Sequence, residues 1–268
     1  MNPQSDNPSP PRRARSLRQE YEEFLLQRIE DYKDRLSRAE LLSLGDEAVR
    51  ELEAGPEGQL VLTEVLMLDH VDRLITRRLR LPTYRRWQQK HLKLRQAQQE
   101  PTHWGLPSDI PLGQLARGLS DADIALVVGA RLAPVALLLA AHDANVLLID
   151  QDLAAVEATE SRAASEALAS RFQALVIDLG GWFPDVHPHA IVIDSHLIAT
   201  LDETSRADFM SHLQNLTSPG GHHLVMSLPG SSPGAAESPD GWVRQYGEWE
   251  TETSSRTGRS GWVLAKRP

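Results

Sequence analysis

"IALVVGARLAPVALLLAAHDANVLLID" spans Ile124–Asp150. Five apolar residues lead into Gly129, and a second apolar stretch then runs to Ala141 with Pro134 near its start. A polar break at His142–Asp143 precedes a third apolar run that ends on Asp150. The pattern predicts strand, tight turn, helix, strand, which is one βαβ unit. Proline is tolerated in a first helical turn, because the N–H it lacks would have no intrahelical partner there. Asp150 lies 21 residues beyond Gly129, near the spacing at which a carboxylate meets ribose hydroxyls in nucleotide-binding units.

Toward the C-terminus the alternation continues. "FQALVID" (172–178), "HAIVIDS" (189–195) and "HHLVMSL" (222–228) read as strands. "DLAAVEATESRAASEAL" (152–168) and "TSRADFMSHLQNL" (204–216) read as helices. Near-continuous apolar strands separated by helices imply a parallel sheet covered on both faces. "GEWETETS" and "GWVLAKR" flank the turn-rich "SRTGRSG", so the chain is expected to close in an antiparallel hairpin.

Toward the N-terminus the period changes. Residues 1–14, rich in proline and polar residues, are expected to be a disordered tail. Leu25, Ile29, Tyr32, Leu36 and Ala39 share one helix face, and Gly45–Asp46 is expected to end that helix and cap "EAVRELEA". A further helix is expected from about Glu57 to Leu81, closed by Pro82, and another from Thr83 to about Gln99. This gives a helical domain over 15–100. "PTHWGLPSDIP" (101–111), with three prolines, reads as a linker, and a short helix at Leu112–Gly118 opens an α/β domain over 112–268.

Composition narrows the chemistry. The chain has 268 residues and no cysteine, which excludes disulfides, thiolate nucleophiles and Cys-ligated metal. No metal site is expected, since "HPH" (187–189) has no carboxylate at a ligand spacing and reads as loop. The first residues lack the apolar core of a signal peptide, and the longest apolar stretch is interrupted by Arg131 and Pro134. A cytoplasmic protein without a membrane span is expected. Net charge is −9, yet Arg73 to Arg95 holds nine Lys or Arg and no acid. Arg77, Arg78, Arg85, Arg86, Lys90 and Lys93 are the candidates there for contact with nucleic acid or another anion. A solvated helix face and a protein interface are the other readings. Tyr84 and Trp87 interleave with these cations and would suit base stacking or a helix–helix contact equally.

The order of motifs from residue 112 onward resembles the class I S-adenosylmethionine-dependent methyltransferase superfamily. "NVLLIDQD" is similar to its second-strand motif, "ALVIDLGGW" to its third, and "LTSPGGHHLVMSL" to its entry into strand five. The terminal hairpin resembles the reversal that separates these enzymes from dinucleotide-binding Rossmann domains. The resemblance implies a Rossmann-like α/β sheet and S-adenosylmethionine as cofactor. On the cofactor side it implies Gly129, Arg131, Asp150, Asp178 and Leu179, with Asp150 at the ribose and Asp178 and Leu179 at the adenine. His196 and Asp194, just past strand four, would then face the acceptor as catalytic candidates. The first motif departs from the family: Val127 stands where an acid is usual, and Arg131 and Ala133 replace two glycines. Arg131 would either pair with the cofactor's carboxylate or fill its space. The helical domain would shape the acceptor site, or form a homo-oligomer contact. "DSHL" is not the (D/N)-P-P-(Y/F) motif of DNA amino-group methylating enzymes. The competing reading is a catalytically silent methyltransferase-like binding or scaffold module. A dinucleotide-dependent oxidoreductase is disfavoured, because G-x-G-x-x-G is absent.

Overall fold

The computed structural model describes residues 16–54, 64–179, 182–226, 239–254 and 261–268. The chain divides into two compact units, Met1–Leu94 and Arg95–Pro268. The expected tail 1–14, residues 57–63 of the third expected helix, Gly180–Gly181 and the hairpin turn 255–260 lie outside the described residues.

The first unit is built from α1 (Leu17–Lys33), α2 (Arg38–Ala54), α3 (Glu64–Arg78) and most of α4 (Tyr84–Gln98). Ser16 and Gln19 form a capping box that starts α1. Ile29, Leu44, Ala48, Leu74 and Ile75 make a small apolar core. Tyr21, Phe24, Tyr84, Trp87 and His91 form an aromatic cluster, and the Tyr21 hydroxyl donates to the Pro82 carbonyl at 2.9 Å.

The expected break at Gly45–Asp46 is wrong. Both residues lie inside α2, and the helices part at Asp34–Ser37 instead. Ser37 is the reason. Its hydroxyl accepts from Glu40 N–H, and the Glu40 carboxylate accepts from the Ser37 N–H at 2.8 Å. A capping box decides where the chain starts a helix, whereas one glycine costs a helix interior only about 1 kcal/mol. Leu44 and Ala48, buried on either side of Gly45, outweigh that cost.

The second unit holds one seven-stranded sheet: β1 (Ile124–Val128), β2 (Asn145–Asp150), β3 (Phe172–Val176), β4 (Ala190–Asp194), β5 (His222–Met226), β6 (Glu250–Ser254) and β7 (Trp262–Lys266). Their order is β3-β2-β1-β4-β5-β7-β6. The first five are parallel, and β7 runs antiparallel to both β5 and β6. Helices α5 (Leu112–Gly118), α6 (Ala133–Ala141), α7 (Leu153–Ser165), α8 (Ser195–Ala199), α9 (Glu203–Leu216) and α10 (Pro239–Val243) complete it.

Strand side chains alternate between two cores. Ala125, Val127, Val146, Leu148, Val192 and Leu224 join the α6–α7 side, while Leu126, Val128, Leu147, Ile149, Ile193 and Val225 join the α9–α10 side. Burial on both faces explains why these strands read as unbroken apolar runs rather than as alternating ones. The fold is a Rossmann-like α/β sheet with a terminal antiparallel hairpin, preceded by a helical N-terminal region.

The stretch 101–111 differs from the linker expected of it. Pro101–Trp104 is a 3₁₀ turn, and Trp104, Leu106 and Ile110 are buried in the same core as α6. Trp104 donates its indole N–H to the Gln98 carbonyl at 2.7 Å. Prolines fix backbone direction here, and the three large apolar residues between them provide the burial that composition alone had obscured.

Candidate functional site

Parallel strands that reverse their order leave a crevice at their carboxyl ends, and here the reversal falls between β1 and β4. Four loops meet at that edge.

After β1, Gly129 adopts φ 109°, ψ 119°. A Cβ there would sit 2.8 Å from the Asp194 Cβ, so both backbone conformation and neighbour demand glycine. Its N–H still donates to the Ile149 carbonyl at 2.9 Å, which extends the β1–β2 ladder by one residue before the turn. Ala130–Leu132 then forms a 3₁₀ turn into α6, with Ala130 and Leu132 buried.

After β2, Asp150 turns back toward this loop. Its Oδ2 accepts from Ala130 N–H at 2.6 Å and its Oδ1 from Asp152 N–H at 2.8 Å. Both oxygens of a carboxylate offer two acceptor sites, so each keeps one. Asp150 is 9% exposed, so it is largely but not wholly covered. Asp152 caps α7 through Ala154 and Ala155 N–H.

Asp178 follows β3 as an exposed residue and Leu179 is buried beside Ile177. After β4, Asp194 caps α8 by accepting from His196 N–H at 3.0 Å. The side chain of Asp194 is only 2% exposed, and Arg131 Nε approaches its Oδ2 at 3.8 Å from a side chain that is 42% exposed. His196 itself is exposed. Gly129, Arg131, Asp150 and Asp194 are thus brought to one edge, with Asp178 on the loop after β3 and His196 in α8 beside them. Val127 is fully buried in the α6 side of the core, so no polar group replaces the acid usual at that position.

The basic segment divides. Arg73, Arg77 and Arg78 pair with Asp69, Glu51 and Glu47. Arg85, Arg86, Lys90 and Lys93 are exposed on α4. Tyr84 and Trp87 belong to the aromatic cluster with Tyr21 and are committed to helix packing rather than base stacking.

Two polar groupings were not read from the sequence. At the amino edge of the sheet, Asp123 and His189 pair at 3.1 Å across β1 and β4, beside a cavity of about 290 Å³ that Gln114 and His222 also line. Burial pushes the Asp123 carboxyl up, but hydrogen bonds from Ser120 and the nearby His189 charge outweigh it and hold the carboxyl below its usual value. Each residue sits one position before a strand, and only strand register makes them neighbours. Inside the sheet, His223 bridges Thr217 at 2.6 Å and Tyr246 at 3.2 Å.

No protein-family model and no curated protein matches this chain. Among solved structures, the N-methyltransferase NodS from Bradyrhizobium japonicum WM9 is similar at 15% identity, covering 59% of this chain and 92% of that one with a TM-score of 0.48. The glycopeptide N-methyltransferase MtfA complexed with S-adenosyl-L-methionine gives 15% identity, 59% and 92% coverage and a TM-score of 0.47. TehB from Haemophilus influenzae gives 15% identity, 60% and 64% coverage and a TM-score of 0.47. The functional reading rests on this chain's own residues.

Proposed function

We propose that the second unit is an S-adenosylmethionine-dependent methyltransferase working at the carboxyl edge of its sheet. The observation that carries this reading is Asp150, a carboxylate at the end of β2 beside the switch point, with one acceptor site left on each oxygen. A ribose diol needs two such acceptors. The residues present fit the cofactor: Asp150 for the ribose, Asp178 and Leu179 for the adenine side, and Arg131 for the terminal carboxylate. S-adenosylmethionine, when bound, supplies an electrophilic methyl group on a sulfonium. The chain's own contribution is mainly positioning, because in-line displacement gains most from alignment of donor and acceptor. His196, exposed at the start of α8, is placed to take the acceptor's proton. Asp194 is committed to capping α8 and facing Arg131, so its role is positioning.

One observation favours the second reading, a cofactor-free scaffold module. Arg131 Nε lies 3.8 Å from Asp194 Oδ2, and an arginine held there would take up space that glycines leave open in the family.

Calorimetric titration with S-adenosylmethionine and S-adenosylhomocysteine separates the two. The methyltransferase reading expects binding that weakens by at least about 100-fold in Asp150→Ala, the loss of two charge-assisted hydrogen bonds. It expects Arg131→Gly to weaken binding as well. A scaffold plugged by its arginine would bind neither ligand until Arg131→Gly opened the space. No heat at millimolar ligand for the wild-type chain would sink the enzyme reading. Circular dichroism of each variant keeps loss of fold distinct from loss of ligand.

A further inference from the structure

We propose that the exposed face of α4 binds the phosphate backbone of a nucleic-acid duplex, independently of the cofactor reading. α4 buries one side and exposes the other. Trp87 and His91 are buried, and Tyr84 packs with Trp87. At 100° per residue, Arg85, Gln89, Lys93, Arg86 and Lys90 fall within one arc of the opposite side, and all five are exposed. That arc carries four cations and a glutamine and no acid. Among the described residues, none of the four cations has an acidic partner, whereas Arg73, Arg77 and Arg78 on the preceding helix are each paired.

First, the four cations form a +4 stripe with no acid between them, and a stripe of one sign is complementary to a polyanion. Second, a protein interface needs an apolar, well-packed centre, and the arc between Arg85 and Lys90 has none; Leu92 and Leu94 only flank it. Phosphate binding needs no such centre. Third, single strands are held largely by stacking on aromatic side chains. The aromatic residues of α4 are used up in the cluster with Tyr21 and Phe24, which leaves backbone phosphates as the recognised feature. From Arg85 to Lys93 the helix covers about 12 Å, a length that faces about seven phosphate charges of a duplex.

Fluorescence anisotropy with the full chain and labelled 20-base-pair DNA and RNA duplexes tests this. Four phosphate contacts give a slope of log affinity against log salt of about −3.6, so affinity falls about 150-fold between 50 and 200 mM salt. The variant Arg85→Gln/Arg86→Gln/Lys90→Gln/Lys93→Gln keeps good helix formers and should abolish binding at low salt. Arg77→Gln/Arg78→Gln should leave the slope unchanged. No binding at 50 mM salt up to about 100 μM protein would overturn the proposal. So would tighter binding of a 20-nucleotide oligothymidine, binding confined to one kind of duplex, or equal competition by poly-glutamate. A slope that persists in the quadruple variant would place the contact elsewhere and overturn it too.

Discussion

Gly129 and Asp150 show how much a single residue can decide at a strand end. Gly129 is the hinge between β1 and α6: its φ of 109° is outside the range other residues adopt easily, and Asp194 leaves no room for a Cβ. Gly129→Ala is expected to lower stability by about 1–3 kcal/mol through backbone strain, with further cost from displacing Asp194. A urea denaturation curve checks this, and an unchanged midpoint would mean that the turn relaxes freely. Asp150 was legible as a candidate from position alone. The hydrogen bond it accepts from Ala130 N–H was not, because that donor comes from a loop 20 residues earlier, whereas the one from Asp152 N–H is local to the turn after β2. The sequence left open whether Arg131 points into or away from the crevice. The structure places its guanidinium beside Asp194.

At the scale of elements, the helical unit corrects a habit of reading glycine as punctuation. "SRAE" at 37–40 is a capping-box sequence, and it outranks Gly45 as a boundary. Ser37→Ala removes the hydroxyl that receives the Glu40 N–H and should cost about 1 kcal/mol. Gly45→Ala should stabilise by about 0.5–1 kcal/mol, since a Cβ there meets nothing within 4 Å in the middle of α2. Thermal melts of the two variants should therefore shift in opposite directions; a fall in both would show that α2 does not continue through Gly45. The βα elements of the second unit were the more legible part. Strands β1 to β4 are largely apolar runs of five or six residues, and their bounds fall within two residues of the segments expected from the sequence pattern. The proline-rich stretch 101–111 was less so, because burial of Trp104, Leu106 and Ile110 depends on α6 being present to receive them.

At the scale of the whole sheet, His223 joins three elements. Thr217 donates its hydroxyl to the Leu213 carbonyl, so it must accept from His223 Nε2–H. That leaves Nδ1 to accept the Tyr246 hydroxyl. The relay requires a neutral imidazole, and burial, with Arg267 and His222 nearby, pushes His223 down to about 3. Burial also raises the Tyr246 hydroxyl, which keeps it protonated as a donor. The unfolded histidine takes up its proton near pH 6.5 and the folded one only near 3. Between those values the unfolded state binds the extra proton, so stability is complete above about pH 6.5 and falls with acidification by up to ~1.4 kcal/mol per pH unit. Urea midpoints measured from pH 7.5 to 5 should drop more steeply for the wild-type chain than for His223→Gln. Parallel slopes would show that His223 is protonated in the fold.

By itself the sequence determined the seven strands and helices α5, α6, α7 and α9 of the second unit, that the sheet is covered on both faces, and that acids stand at three strand ends. These follow from local periodicity and from where apolar runs stop, which each segment carries in its own residues. Tertiary structure alone decided the burial of 101–111, the Arg131–Asp194 approach and the pairing of Arg77 and Arg78 with acids of α2. Each of those depends on which distant residue is brought within a few ångströms, and that is set by strand register and helix packing rather than by neighbours along the chain.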